Sequence, residues 1–148
     1  MSFLRLRGRL RSLHKEGKMG YSFSATCEVV IPADKVQDCL AAINLLFKKQ
    51  SRYSWVEAPK EEHTDLVAAL DNWRYEAHVQ ENGDVEISYF QGEKLGDDKV
   101  LFQAIAPFAD GVIYCVGEHG EDHWKWAFAD GELKECWGRI VYDDWEGV

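Results

Sequence analysis

The 148-residue chain lacks the features that identify several whole classes of protein. It has no run of about 18 apolar residues, which a transmembrane helix needs, and its N-terminus lacks the continuous apolar core of a secretory signal. Its four cysteines are far apart and include no Cys-x-x-Cys pair, which disfavours a disulfide framework. We therefore expect a cytoplasmic protein with scattered core thiols. These cysteines are Cys27, Cys39, Cys115 and Cys136.

Motifs of catalysis and phosphate binding are also absent. The chain contains no Gly-x-Ser-x-Gly nucleophile elbow, and "GEKLG", residues 92–96, does not match a phosphate-binding loop. No dinucleotide-binding glycine motif occurs either. The sequence therefore predicts no catalytic residue and no cofactor, and it favours a binding protein over an enzyme.

Acidic and basic residues are unevenly distributed along the chain. Residues 1–18 hold six basic residues and one acidic residue, a net charge of +5, so residues 19–148 carry −14 of the total of −9. A body this acidic repels nucleic-acid phosphates and anionic lipids. Neither direct nucleic-acid binding nor a membrane partner is predicted. A basic protein, such as a nucleic-acid-binding protein, is the expected partner.

The basic segment and the acidic body are predicted to be separate units. Residues 1–18 are interpreted as a basic extension, either disordered or upstream of the true start at Met19. A targeting peptide or a basic arm is the alternative. Residues 19–148 are interpreted as one acidic domain, long enough to bury a large core. No oligomeric state is predicted.

Periodicity near the start of the domain predicts one strand and one helix. Apolar and polar residues alternate over residues 21–31, which predicts a strand that Pro32 closes. Residues 33–49 repeat apolar residues at helical spacing, with acids early and lysines in the last turn, as the helix dipole favours. The apolar positions of this helix are Val36, Leu40, Ile43 and Phe47.

Two further helices are predicted from caps and spacing. The second lies within residues 63–75, with Thr64 or His63 as its N-cap. Its inward residues are predicted to be Leu66, Val67, Leu70 and Trp73. The third begins after Asp97 as N-cap and stops near Pro107.

Two sets of antiparallel strands complete the predicted elements. Residues 75–90 form a hairpin with a three-residue loop at 81–83, because this register keeps apolar residues on one face. The predicted pairs are Val79 with Val85, Ala77 with Ile87, Tyr75 with Tyr89 and His78 with Glu86. Residues 111–144 form a meander with turns at 118–122 and 130–131. The pairs predicted there are Phe128 with Leu133 and Trp124 with Trp137.

The resulting order is β-α-α-β-β-α-β-β-β. It groups strands into hairpins and offers few right-handed crossovers, which is typical of an α+β domain. We expect an antiparallel or mixed sheet of about six strands, with two to three helices on one face.

The most distinctive segment is "GEHGEDHWKWAF", residues 117–128. His119 and His123 have a spacing that binds metal on a helix, but the flanking glycines and strands predict a turn. A site formed by these histidines with Cys115 and Cys136, or a carboxylate-histidine site for a divalent metal, is the minority hypothesis. The histidines of an exposed acidic tip are also expected to respond to pH.

The leading hypothesis is a non-enzymatic protein that occludes a basic surface, as inhibitors, immunity proteins, anti-defence proteins and nucleic-acid mimics do. Its predicted contacts combine carboxylates of the tip with exposed aromatic anchors. They are Glu118, Glu121, Asp122, Trp55 and Trp145. One alternative is a small metal-binding or hydrolytic domain centred on His119 and His123. The other is a sensor with a small-ligand pocket between the sheet and the helices.

Overall fold

The computed structural model describes residues 21–120, 122–139 and 141–144. The strands are β1 (Tyr21–Ile31), β2 (Arg52–Tyr53), β3 (Val56–Glu57), β4 (Tyr75–Val79), β5 (Val85–Phe90), β6 (Lys94–Leu95), β7 (Asp110–Gly117), β8 (His123–Ala129) and β9 (Glu132–Gly138). The helices are α1 (Val36–Lys49), α2 (Leu66–Asn72) and α3 (Asp98–Ile105), with short 3₁₀ turns at Ala33–Lys35 and Ala106–Phe108. The basic extension predicted over residues 1–18 lies outside the described residues.

The main sheet has the strand order β4-β5-β1-β7-β8-β9, and every pair is antiparallel. Strand β6 pairs with the start of β1, at Tyr21 and Ser22. Strands β2 and β3 form a separate hairpin. The predicted α+β class and element order are confirmed. The three additional strands have two residues each, which is too short to leave a periodic signal in the sequence.

One face of this sheet and the three helices enclose the core. Odd-numbered residues of β1 and even-numbered residues of β8 point inward, including the fully buried Val29 and the buried Trp124 and Trp126. Phe102 of α3 lies at the centre, with its ring 5.0 Å from that of Trp126 and 5.3 Å from that of Tyr75. We call this side of the sheet the inner face and the opposite side the outer face. No helix of the described residues is long and apolar enough to cross a membrane.

The C-terminal meander has the predicted register. Trp124 pairs with Trp137 and Phe128 with Leu133. Asp130 and Gly131 form the turn, and both have left-handed backbone angles (φ 57° and 77°), as a two-residue hairpin turn with matching twist requires. Trp124 and Trp137 are both buried, which confirms that this face belongs to the core.

The β4–β5 hairpin follows its predicted register only near the turn. Val79 opposes Val85, Ala77 opposes Ile87, and His78 opposes Glu86, as expected. The prediction that Tyr75 opposes Tyr89 is wrong. Glu76 pairs with Tyr89 and Tyr75 pairs with Phe90, which leaves Ser88 as the extra residue of a β-bulge.

This bulge decides which of two adjacent aromatic residues enters the core. Phe90 is 5% exposed and lies on the inner face, 4.7 Å from the ring of Phe23, whereas Tyr89 is 58% exposed. Without the extra residue the strand would have turned Tyr89 inward. The bulge therefore buries the ring without a polar atom and leaves the phenol in water.

Two helix caps also differ from the predictions. Helix α2 is capped by Asp65, whose Oδ1 accepts a hydrogen bond from Val67 N (2.9 Å), and not by Thr64 or His63. Asp97 occupies the N-cap position of α3 as expected, but its side chain makes no capping bond. Its Oδ2 accepts a hydrogen bond from Ser54 N (2.8 Å) and so holds the β2–β3 hairpin.

The four cysteines are free thiols. Cys27, Cys39 and Cys115 are buried, as expected, and burial raises the pKa of the first two to about 12. The expectation of a core thiol is wrong for Cys136, which is exposed on the outer face.

Candidate interaction surface

The outer face of the sheet presents a broad surface on which no described side chain is buried. Its centre is a line of residues paired across three strands, with Tyr89 of β5 opposite Thr26 of β1 and Thr26 opposite Tyr114 of β7. The two tyrosines are 58% and 47% exposed. Most large apolar side chains of the sheet are buried, so two open phenol rings on one line form a distinct feature.

Carboxylates surround these tyrosines on the β4, β5 and β1 side of the face. Glu76 pairs directly with Tyr89, and Glu28 follows Thr26 by two residues on the same side of β1. The outward-facing acidic residues are Glu28, Glu76, Glu86, Asp110 and Glu132. Lys134 lies on β9, towards the other edge of the sheet, whereas Lys125 of β8 pairs directly with Tyr114. The potential near Tyr89 is therefore expected to be negative.

A trough of about 530 Å³ opens beside Tyr89. Its floor is formed by residues 22–25 of β1, one wall by residues 89–90 and 92–93, and the other wall by residues 116–118. We call this feature the trough. It exists because β5 pairs with β1 only from Thr26 onward and β6 pairs only with Tyr21 and Ser22.

Each wall of the trough carries one exposed carboxylate, Glu93 on one side and Glu118 on the other. Neither carboxylate forms an ion pair within the described part of the chain. Lys94 contributes a positive charge beside the trough, since its Nζ donates a hydrogen bond to Ser22 Oγ on the floor (2.9 Å), whereas the charge of the nearby Arg74 is paired with Asp98. Two carboxylates and one ammonium group leave the trough with a net negative charge.

A buried polar network holds the Glu93 wall in place. Arg74 Nη1 donates to the carbonyl oxygen of Lys94 (2.7 Å), and Gln91 N donates to the carbonyl oxygen of Arg74 (2.8 Å). Gly92 lies so close to Phe90 and Arg74 that a Cβ atom there would lie 2.8 Å from the Phe90 ring. Segment 91–94 is thereby fixed against the core.

Asp98 at the start of α3 balances the charge of this arginine. Its carboxylate accepts hydrogen bonds from Arg74 Nη2 (2.8 Å), Tyr75 Oη (2.7 Å) and Gly96 N (2.8 Å). Burial raises the pKa of Asp98, although the Arg74 charge and these hydrogen bonds oppose the rise. Asp98 is 2% exposed, so the network acts as a support and is closed to a ligand.

The predicted acidic tip is only partly exposed. Glu118 is exposed and lines the trough, and Glu121 lies outside the described residues. The expectation that Asp122 is exposed is wrong, since its carboxylate is fully buried and accepts a hydrogen bond from the buried Tyr21 hydroxyl. Gly117 allows this contact, because a Cβ atom there would overlap the Tyr21 hydroxyl. Asp122 is therefore not part of the exposed surface.

Of the two predicted aromatic anchors, Trp55 lies within the part of the chain that the structure describes. Trp55 is 57% exposed in the turn between β2 and β3, with a positive φ of 69°. It lies over Gly96, where a Cβ atom would be 2.6 Å from the indole Cδ1. Trp145 lies outside the described residues.

The residues of the predicted four-ligand metal site are not brought together. Cys115 points into the core, whereas Cys136 and His123 belong to the outer face. His119 is exposed in the turn, and the His123 ring nitrogen Nε2 lies 3.0 Å from the carbonyl oxygen of Gly120. Across residues 21–120, 122–139 and 141–144, no group of three or more histidine, cysteine or acidic side chains is arranged to hold a metal ion. A two-histidine site remains a prediction.

Sequence reasoning missed two acidic positions that the fold makes special. The sequence patterns single out neither Asp98 nor Glu135. Glu135 accepts hydrogen bonds from the indole nitrogens of Trp126 and Trp137, each 3.0 Å long. One sequence signal could have pointed to Glu135. The predicted β8–β9 register places it opposite Trp126 and on the same face as Trp137, two residues further along β9. The central tyrosines were missed for different reasons, because Tyr114 alternates outward in the sequence whereas Tyr89 is placed by the bulge.

No protein-family model, curated protein or solved structure matches this chain. The function must therefore be inferred from the surface itself.

Proposed function

We propose that this protein is a non-enzymatic binding protein that uses the outer face of its sheet to occlude a basic protein surface, as an inhibitor or immunity protein does. The observation that carries the proposal is the pair of exposed tyrosines, Tyr89 and Tyr114, on an open sheet face that carries Glu76 opposite Tyr89. Tyrosine is enriched at binding hot spots because it contributes a large contact area and one polar group.

The charge of the chain supports a basic partner. Residues 19–148 carry a net charge of −14, because residues 1–18 contribute +5 to the total of −9. Carboxylates around an apolar centre steer a basic partner and suppress binding to acidic ones. Occlusion of a nucleic-acid-binding surface fits the same charges.

Affinity capture from lysate of the cells that produce this protein tests the proposal. The full chain is immobilised and compared with the double variant Tyr89→Ala, Tyr114→Ala at ionic strengths of about 0.05 M and about 0.5 M. A basic protein that the wild type captures, the double variant loses and high salt releases is the expected result.

Trp55→Ala is the matched control, since Trp55 is as exposed as Tyr89 but lies in the β2–β3 turn. Capture that depends on Trp55 and not on the tyrosines would place the contact elsewhere and contradict the proposal. Circular dichroism confirms that each variant is folded. Capture of the same proteins by the wild type and by the double tyrosine variant would also contradict the proposal.

A further inference from the structure

We infer that the trough binds an arginine side chain of the partner, an inference that rests on the proposed function and names its central contact. The trough adjoins Tyr89, the most exposed aromatic residue of the outer face. Its two walls present carboxylates from different parts of the fold, Glu93 and Glu118.

The chemistry of the walls fits a guanidinium group better than other cations. A guanidinium is planar and stacks on a tyrosine ring, and its five N–H donors reach carboxylates on opposite sides. Lysine presents a compact, strongly hydrated point charge that gains less from a flat ring. The trough volume of about 530 Å³ leaves room for the arginine stem above residues 22–25.

The supporting network gives the wall the rigidity that such a contact needs. Arg74 binds the Lys94 carbonyl oxygen from the inside, and Asp98 in turn binds both Arg74 and Gly96 N. Glu93 is therefore carried on a segment whose two ends are tied to the core. A preorganised wall loses little conformational entropy when a partner binds.

Lys94 opposes the binding of arginine. Its ammonium group, which donates a hydrogen bond to Ser22 Oγ, lies beside the arginine position and repels the guanidinium charge. Removing that charge should strengthen the binding of arginine, whereas removing the carboxylates should weaken it. Substitutions in and beside the trough therefore test both an increase and a decrease in the affinity for arginine.

Titration of the ¹⁵N-labelled full chain with N-acetyl-arginine amide at low ionic strength tests the inference. We expect amide shifts at residues 22–25, Glu93 and Glu118. The double variant Glu93→Gln, Glu118→Gln should raise Kd about tenfold, as the loss of a charge-assisted hydrogen bond predicts. Lys94→Met should lower Kd.

The matched control is the double variant Glu61→Gln, Glu81→Gln, which also removes two carboxylate charges, but from exposed positions outside the trough. An equal loss of affinity in this control would overturn the inference, because general attraction would then explain binding. N-acetyl-citrulline amide, which is neutral, and N-acetyl-lysine amide are the comparison probes. Binding of either as tight as that of the arginine amide would also overturn it.

The outcome for the trough can be separated from that for the proposed function. If the tyrosine variants abolish capture of a basic partner while Glu93→Gln, Glu118→Gln leaves it unchanged, the trough inference is wrong and the proposed function stands. If arginine amide binds in the trough but no basic partner depends on Tyr89 and Tyr114, the proposed function fails.

Discussion

The inner and outer faces of the main sheet are built from the same strands but have opposite chemistry. The inner face buries rings such as Trp126 and Phe128 against Phe102. On this side of the sheet, Asp98 of α3 and Glu135 of β9 each accept hydrogen bonds from two or more donors. The outer face leaves Tyr89 and Tyr114 in water, with the exposed Glu76 opposite Tyr89. This difference indicates that the inner face supplies stability and that the outer face is open to solvent.

The largest expected contrast is between aromatic residues on the two sides of the sheet. Phe102→Ala should lower the free energy of unfolding by about 3–5 kcal/mol, because it leaves a cavity among Tyr75, Trp126 and Phe128. Tyr114→Ala on the outer face should change it by about 0.5 kcal/mol or less. Urea denaturation measures both, and similar losses would mean that the outer face is covered.

A second contrast tests the bulge at Ser88. Phe90→Ala should cost about 3 kcal/mol of unfolding free energy, since this ring contacts Phe23 and Tyr75 and lies 5.1 Å from the Arg74 guanidinium. Tyr89→Ala should cost less than about 1 kcal/mol. The unbulged register predicts the reverse order, so thermal denaturation of the two variants distinguishes the registers.

The buried carboxylate should give a smaller effect. Asp98→Asn removes the negative charge that faces Arg74 and leaves one hydrogen-bond donor without an acceptor. We expect a loss of about 1–3 kcal/mol of unfolding free energy. Glu28→Gln, on the outer face of the main sheet, is the control and should change stability by about 0.5 kcal/mol or less. Equal effects would show that Asp98 is not closed to water.

The smallest predicted effect depends on pH. Burial raises the pKa of Glu135, but the hydrogen bonds from Trp137 and Trp126 and the nearby Lys99 outweigh it, so the pKa lies below the ordinary 4.5. A lowered carboxyl pKa adds stability above pH 4.5, and that stability is lost as the pH falls through the folded-state value.

Glu135→Gln removes this pH-dependent contribution. The stability advantage of the wild type over Glu135→Gln should therefore shrink as the pH falls below 4.5. Urea denaturation of both proteins between pH 7 and about pH 3 measures the difference. A constant difference across this range would contradict the lowered pKa.

The element order and most strand registers follow from the sequence because they depend on local patterns. Alternation placed Trp124 and Trp137 on one face, and the Asp130-Gly131 turn fixed their pairing. The helical repeat from Val36 to Phe47 likewise predicted α1. These signals lie within a few residues of one another, so no knowledge of distant contacts is needed.

The candidate site was much less predictable. The sequence pointed to the Gly117–Phe128 segment, but the fold buries Asp122 against Tyr21, which lies 101 positions away in the chain. The burial of Asp122 depends on a contact between distant segments, which periodicity does not contain. Cys136 was expected inside and lies outside, although the predicted register, with Trp137 in the core, already turns its neighbour outward.

The sequence by itself determined the α+β class, the acidic body and the alternation that separates the two faces of the sheet. The tertiary structure alone decided that Tyr89 faces water and that Glu93 and Glu118 face one trough. The physical reason is that the bulge at Ser88, the gap between β5 and β6 and the Arg74–Asp98 pair all arise when distant segments satisfy one another's burial and hydrogen bonds.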